Sequence, residues 1–423
     1  MTLIKTSLLN AVAVVVRMLT LLGINKILAI YVGPAGYAAL GQFQNAVQII
    51  TTIASGAINN GVTKYTAEFY EDEHQQQTVW RSAGTIALMG SVLTGVLVVL
   101  FREPLAKWFL HDTTLNGVFV WFGVTLPLFV LNTLLLAILN GKKEIRRYVL
   151  ANISGSAFAL LATVVMAVQY GLYGALVALA VYHSLSFFVT LGLTCKAHWF
   201  RIQYLFGYID KVVVENLAKY TIMAFASAAC VPISHMLVRN YLGVTLGWNI
   251  AGYWEAMWRL SSTYLLFFTS TLGVYYLPKL AALRTRTEVT RELISGYIII
   301  LPAAVVCSVL IYFFRDFIIR LMFTSDFKQM SVLFFWQLIG DIFKISSWLL
   351  GYVLIAKSMF ILFIVTEVIF SALFYIFVFS LVDLLGIEAA SLSYAINNLL
   401  LFIFLVVAYK FLINLENIYN KSS

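Results

Sequence analysis

Apolar runs of roughly twenty residues recur from one end of this 423-residue chain to the other. Each is long enough to cross about 30 Å of hydrocarbon as a helix. Twelve can be marked, at 7–32, 37–60, 81–101, 116–139, 148–169, 172–194, 217–240, 250–277, 293–314, 329–356, 358–381 and 386–410. Lipid offers no water to backbone N–H and C=O groups, so only helices and closed barrels span it. The runs lack the alternation of barrel strands. An all-α polytopic membrane protein with about twelve transmembrane helices is therefore predicted. The composition agrees, with 61% hydrophobic and 11% charged residues and a mean hydropathy of +0.91. No soluble domain is expected. The first run is expected to stay as a span, because it is longer than a signal-peptide core and lacks a small-residue cleavage site. Cys195, Cys230 and Cys307 have neither metal nor redox spacing and read as small packing residues, so no metal site and no cofactor are expected.

Charge sets the orientation. With the N-terminus placed inside, eighteen of the 28 Lys and Arg fall on the cytoplasmic side, and six fall outside: Arg102, Lys107, Arg239, Arg315, Arg320 and Lys328. That bias puts both termini in the cytoplasm. It also accounts for the net charge of +9 without a nucleic-acid partner. The four remaining cations, Arg17, Lys26, Arg259 and Lys344, lie inside predicted spans. Facing lipid they would cost on the order of 10 kcal/mol together, so they are expected to face protein or a wet cavity. Arg17 and Arg259 fall near mid-depth. Arg17 shares a stripe with Asn10 and Thr20, whereas Lys26 lies on the opposite side of a straight helix.

Three further spans carry polar stripes. Gln44, Gln48, Thr52, Ser55 and Asn59 recur at helical spacing, either as interhelical hydrogen-bonding groups or as a wall suited to a hydroxyl-rich solute. Glu255 and Arg259 are four apart, followed by Ser262, Thr263 and Ser270. In "WQLIGDIFKISSWLLGYVLIAK" (336–357), Gln337, Asp341, Lys344 and Ser347 share one face, and Asp341 and Lys344 are expected to neutralise each other. Ionisable groups inside a bundle point to function. Asp341 is a candidate proton site, with Glu367 and Glu255 as further coupling candidates. His183 and His235 read as packing or hydrogen-bonding residues.

An internal repeat is visible when Gly36 is placed on Gly247 and Gly41 on Gly252, an offset of 211 that sets Gln48 on Arg259. Two six-helix lobes related by a pseudo-two-fold axis along the membrane normal follow. Their expected limits are 1–194 and 217–423, joined by a basic cytoplasmic linker at 195–216.

The stretches "GPAGYAALGQFQ", "NNGVTKYTAEF" (59–69), "YYLPKLAAL" (275–283) and the 336–357 segment resemble the Wzx-type flippases of lipid-linked O-antigen and enterobacterial common antigen repeat units. These form the polysaccharide branch of the multidrug/oligosaccharidyl-lipid/polysaccharide exporter superfamily. The resemblance implies an inner-membrane carrier that moves undecaprenyl-pyrophosphate-linked oligosaccharide to the periplasmic leaflet by alternating access around a cationic cavity. On this expectation Arg17, Arg259, Lys344 and Lys26 hold the pyrophosphate. Gln44, Gln48, Thr52 and Asn59 meet the sugars. Membrane lipid, H+ or Na+, and a glycan polymerase with its chain-length regulator are the partners to consider. A multidrug antiporter would want an acidic cavity for its cations. A glycan polymerase or ligase would want long periplasmic loops, and the loops here are short; no Walker loop or HExxH motif is present. A passive scaffold would leave the mid-depth charges without a purpose.

Overall fold

A computed structural model describes residues 3–276, 279–280, 283, 285–357 and 359–422, with side chains described for most of these. Asn10, the ends of the chain and part of the 275–283 motif lie outside the described side chains. The described chain is helical with no strand. Among the described residues, eight helices are long and apolar enough to cross a membrane. One of them, Ile145–Cys195, contains a break at Gly171 (φ 55°, ψ −131°) and so holds two of the predicted spans. Three others, Gly33–Ala54, Lys211–Leu246 and Trp248–Thr271, supply the remaining spans, making twelve. These three carry the amide stripe and the buried arginines.

The chain divides into two compact units, 1–233 and 234–423. In the first, Asn116–Gly141 packs between Glu73–Leu100 and Ile145–Cys195. Close approach is built in by paired glycines, since a side chain at Gly95 or Gly123 would meet the other's backbone. The segment expected to be a linker is docked here. Trp199, Phe200 and Leu205 are buried, Gly207 and Thr85 exchange hydrogen bonds of 3.1 and 3.2 Å, and Asp210 N–H donates to Ser82 Oγ at 3.0 Å. In the second unit, Phe334–Ala356 packs on Glu388–Ser422 and on Arg286–Phe313. Leu349, Leu350, Val353 and Leu354 form its apolar floor with Leu272, Tyr276 and Leu293.

The backbone suggests a different register for the repeat from the glycine match read in the sequence. Gly33 (φ 69°), not Gly36, shares with Gly247 (φ 102°) a positive φ at the start of its helix, an offset of 214. Gly171 and Gly386 share one conformation, φ 55° and ψ −131° against φ 56° and ψ −129°. Such a backbone favours glycine because no Cβ crowds the following carbonyl. In that register Asn45, rather than Gln48, aligns with Arg259.

Candidate functional site

Lys211–Leu246 and Trp248–Thr271 form a helical hairpin reversed at Gly247. Residues equidistant from that glycine meet at equal depth. Arg239 and Glu255 each stand eight residues from it, about 12 Å along the axis. Arg239 Nη2 donates to Glu255 Oε2 at 2.5 Å, and Arg259 Nε donates to Glu255 Oε1 at 2.7 Å. One buried carboxylate thus holds two guanidiniums. The Arg239 side chain is 2% exposed and that of Arg259 14%. The Arg239 guanidinium also lies 5.6 Å from the Trp254 ring. His235, one turn deeper, packs 4.1 Å from Trp258 and 5.4 Å from Trp254; it is a buried ring, as its sequence context suggests.

Asp341 lies on Phe334–Ala356, fully buried. It accepts from Ser261 Oγ at 2.6 Å, from Tyr394 OH at 2.8 Å and from Tyr264 OH. Gly340 makes this possible, because any side chain there would collide with the Tyr394 ring. Lys344 does not pair with Asp341: among the described residues, the salt bridges do not include it. Its Nζ instead sits 4.5 Å from the Trp258 ring centre, 5.3 Å from Tyr394 and 5.6 Å from Trp348. Residues three apart on a helix diverge by about 60°, which lets hydroxyls take the anion and aromatic faces take the cation. The expected self-neutralising pair is therefore a separated one. Asp341 still acts on Lys344 electrostatically, and Glu367, on Phe360–Leu385, does so less strongly.

The first unit carries the other predicted residues. Arg17 is exposed and Lys26 half-buried. Arg17 acts electrostatically on His183, whose ring packs 4.4 Å from Phe129 and 4.0 Å from Tyr182. The amide stripe is divided. Gln44 and Gln48 are exposed and Thr52 half-buried, its Oγ donating to the Gln48 carbonyl at 2.7 Å. The helix ends at Ala54, and the chain turns through Gly56 and Ala57, both with positive φ. Asn59 begins a separate helix, Asn59–Glu68, and donates to Thr133 Oγ at 3.3 Å. The continuous wall read from spacing stops at Thr52, and Asn59 joins helices.

Residues 3–283 match the model of a family described as polysaccharide biosynthesis protein. The chain belongs to that family. It is 29% identical over 402 residues to the protein named lipid III flippase of Escherichia coli, covering 95% of this chain and 97% of the relative. The Shigella flexneri protein of the same name matches equally. Among solved structures, an inward-facing multidrug transporter of the MATE family is similar with a TM-score of 0.76 at 13% identity. It covers 95% of this chain and 98% of its own. An outward-facing structure of such a transporter gives 0.66 at 15% identity, covering 95% of each chain. At these identities the structural likeness is one of fold.

In this polysaccharide biosynthesis protein the decisive residue missed in the sequence is Arg239, which loop counting put outside the membrane. Its place within the apolar run 217–240 and its equal spacing with Glu255 about Gly247 were the available signals. Moving it inside leaves five cations outside and adds a fifth within the spans. The three hydroxyl partners of Asp341 come from two other helices, and no local pattern announces them.

Proposed function

We propose that this chain is a flippase that carries undecaprenyl-pyrophosphate-linked oligosaccharide from the cytoplasmic to the periplasmic leaflet of the bacterial inner membrane. The observation that carries the reading is the charge inside the spans. Arg17, Lys26, Arg239, Arg259 and Lys344 outnumber Glu255, Asp341 and Glu367 by two. A pyrophosphate brings about two negative charges, and guanidinium and ammonium groups in a poorly hydrated setting suit it. The name of the E. coli relative, similar over nearly the whole of both chains, supports the same substrate class and a carrier rather than an enzyme. An organic-cation antiporter of similar fold would require the opposite sign.

Within this reading Arg259, Arg17 and Lys344 remain the pyrophosphate candidates and Lys26 an auxiliary one. Gln44, Gln48 and Thr52 are the sugar-facing groups. Asp341, with Glu367, is the coupling candidate, whereas Glu255 offsets one of the two arginine charges. H+ or Na+ coupling, and work beside a glycan polymerase and chain-length regulator, belong to the same proposal. An inside-negative potential of 100 mV would by itself favour outward movement of two negative charges by roughly 4–5 kcal/mol. Deleting the gene and assaying lipid-linked repeat units tests the reading. Accumulation on the cytoplasmic side, cleared by the wild-type gene, is expected; unchanged export in the absence of any redundant carrier would refute it.

A further inference from the structure

The repeat contains a second pair of matching elements that the carrier mechanism leaves unused. "FREPLAKWFL" (101–110) and "FRDFIIRLMF" (314–323) follow the third and ninth spans at an offset of 213. Both spans end on the same side of the membrane, being six apart. Each ends at a phenylalanine of similar backbone, Phe101 (φ −95°, ψ 20°) and Phe314 (φ −91°, ψ 10°), where the chain leaves the span and starts a new helical segment. The two segments bury the same positions: Ala106, Phe109 and Leu110 in one, Ile319, Met322 and Phe323 in the other. They are therefore fixed to their own units by one face.

The opposite faces are apolar and basic together. Trp108 is 74% exposed and Phe313 76%, with Phe101, Phe317 and Leu321 more than half exposed. Arg102, Lys107 and Arg320 are exposed beside them and Arg315 half-buried, while Glu103 and Asp316 offset one charge in each segment. Exposed aromatic rings at the end of a span match the depth where hydrocarbon meets headgroups, and adjacent cations match lipid phosphate. In water this face would be a liability.

We propose that residues 101–108 and 314–321 are two equivalent seats for anionic phospholipid headgroups in the leaflet on that side. Rings enter the acyl boundary, and Arg102 with Lys107, or Arg320 beside an Arg315 held on the Tyr312 ring and carbonyl, meet the phosphate plane. The occupant is anionic phospholipid because each segment carries one net positive charge next to a membrane-embedded span. A zwitterionic lipid would not answer that charge.

Quenching by brominated lipid tests this. The full-length protein is reconstituted with brominated phosphatidylglycerol or brominated phosphatidylcholine at equal fraction. Because the chain has nine tryptophans, the Trp108 signal is taken as wild type minus Trp108→Phe. One net charge at the surface gives roughly fivefold local enrichment of anionic lipid, so quenching by phosphatidylglycerol should clearly exceed that by phosphatidylcholine. Arg102→Gln with Lys107→Gln should remove the difference, and Arg102→Lys with Lys107→Arg should keep it. Leu321→Trp should report the same preference from the second unit. Equal quenching of wild type by both lipids would overturn the proposal without need of any charge variant. So would quenching by neither, as when a second protein copy covers Trp108.

Discussion

Replacing Glu255 with glutamine should be the most damaging single change in the membrane interior, and its size can be worked from the triad. The carboxylate is 3% exposed and bonded to two guanidiniums at 2.5 and 2.7 Å. Breaking a buried pair by removing one partner costs about 3–5 kcal/mol, since a charge is left uncompensated. Here two are left. The repulsion between the two guanidiniums is present in wild type too and cancels from the difference, so what is added is the loss of the second charged hydrogen bond, roughly 1.5–3 kcal/mol. Water reaching the partly exposed Arg259 relieves some of this, so the expected loss is about 4–6 kcal/mol. Arg259→Gln should cost only about 1–2 kcal/mol, because Glu255 keeps Arg239. Glu255→Gln with Arg259→Gln should fall between, since only Arg239 then loses its carboxylate, and should stay inactive. Thermal unfolding of purified variants in one detergent gives the order: wild type, Arg259→Gln, the double variant, Glu255→Gln. A Glu255→Gln protein as stable as wild type would refute the reasoning and show that water, not Glu255, solvates the arginines.

Asp341→Asn should insert normally yet reduce export and flatten its dependence on pH; wild-type export across about pH 6–8 would return Asp341 to a structural role. Trp258→Leu should weaken export as Lys344→Met does, because both dismantle the cation–aromatic contact, worth about 1–2 kcal/mol when desolvated. Lys344→Arg should retain more function than Lys344→Met. Gln44→Leu with Gln48→Leu should impair long or branched headgroups more than a one-sugar substrate, whereas Asn59→Leu should lower stability alike for both, because it bonds Thr133. Gly171→Ala and Gly386→Ala should each destabilise by about 1–3 kcal/mol, and by similar amounts, since the two share one left-handed backbone.

The helices were legible because the membrane makes hydrophobic length a reliable signal. Even the break at Gly171 fell between two predicted spans. Where spacing alone was used, it overreached. A stripe of period 3.6 was followed through residues 55–59, although the chain turns at Gly56 and Ala57 and sends Asn59 into another helix. Asp341 and Lys344 do act on each other electrostatically, but spacing could not show that neighbouring helices supply hydroxyls to the one and aromatic faces to the other. Arg239 was lost because loop counting assigns a cation near a span end to water. Its place inside the apolar run 217–240 and the hairpin's symmetry about Gly247 both return it to the interior. The linker's basic composition likewise concealed Trp199, Phe200 and Leu205, which dock it on the first unit.

The central claim is that the excess of buried cations serves an anionic lipid-linked sugar. It is tested most directly in proteoliposomes holding purified protein and the same short oligosaccharide on undecaprenyl pyrophosphate, on undecaprenyl monophosphate or on a neutral undecaprenyl ether. Transbilayer movement is read by accessibility of the sugar to an added lectin. The account predicts the fastest movement for the pyrophosphate, slower for the monophosphate and none above protein-free vesicles for the ether. It further predicts acceleration of the pyrophosphate by a potential that draws anions toward the receiving leaflet. Equal movement of all three lipids, or movement of the neutral ether alone, would contradict it.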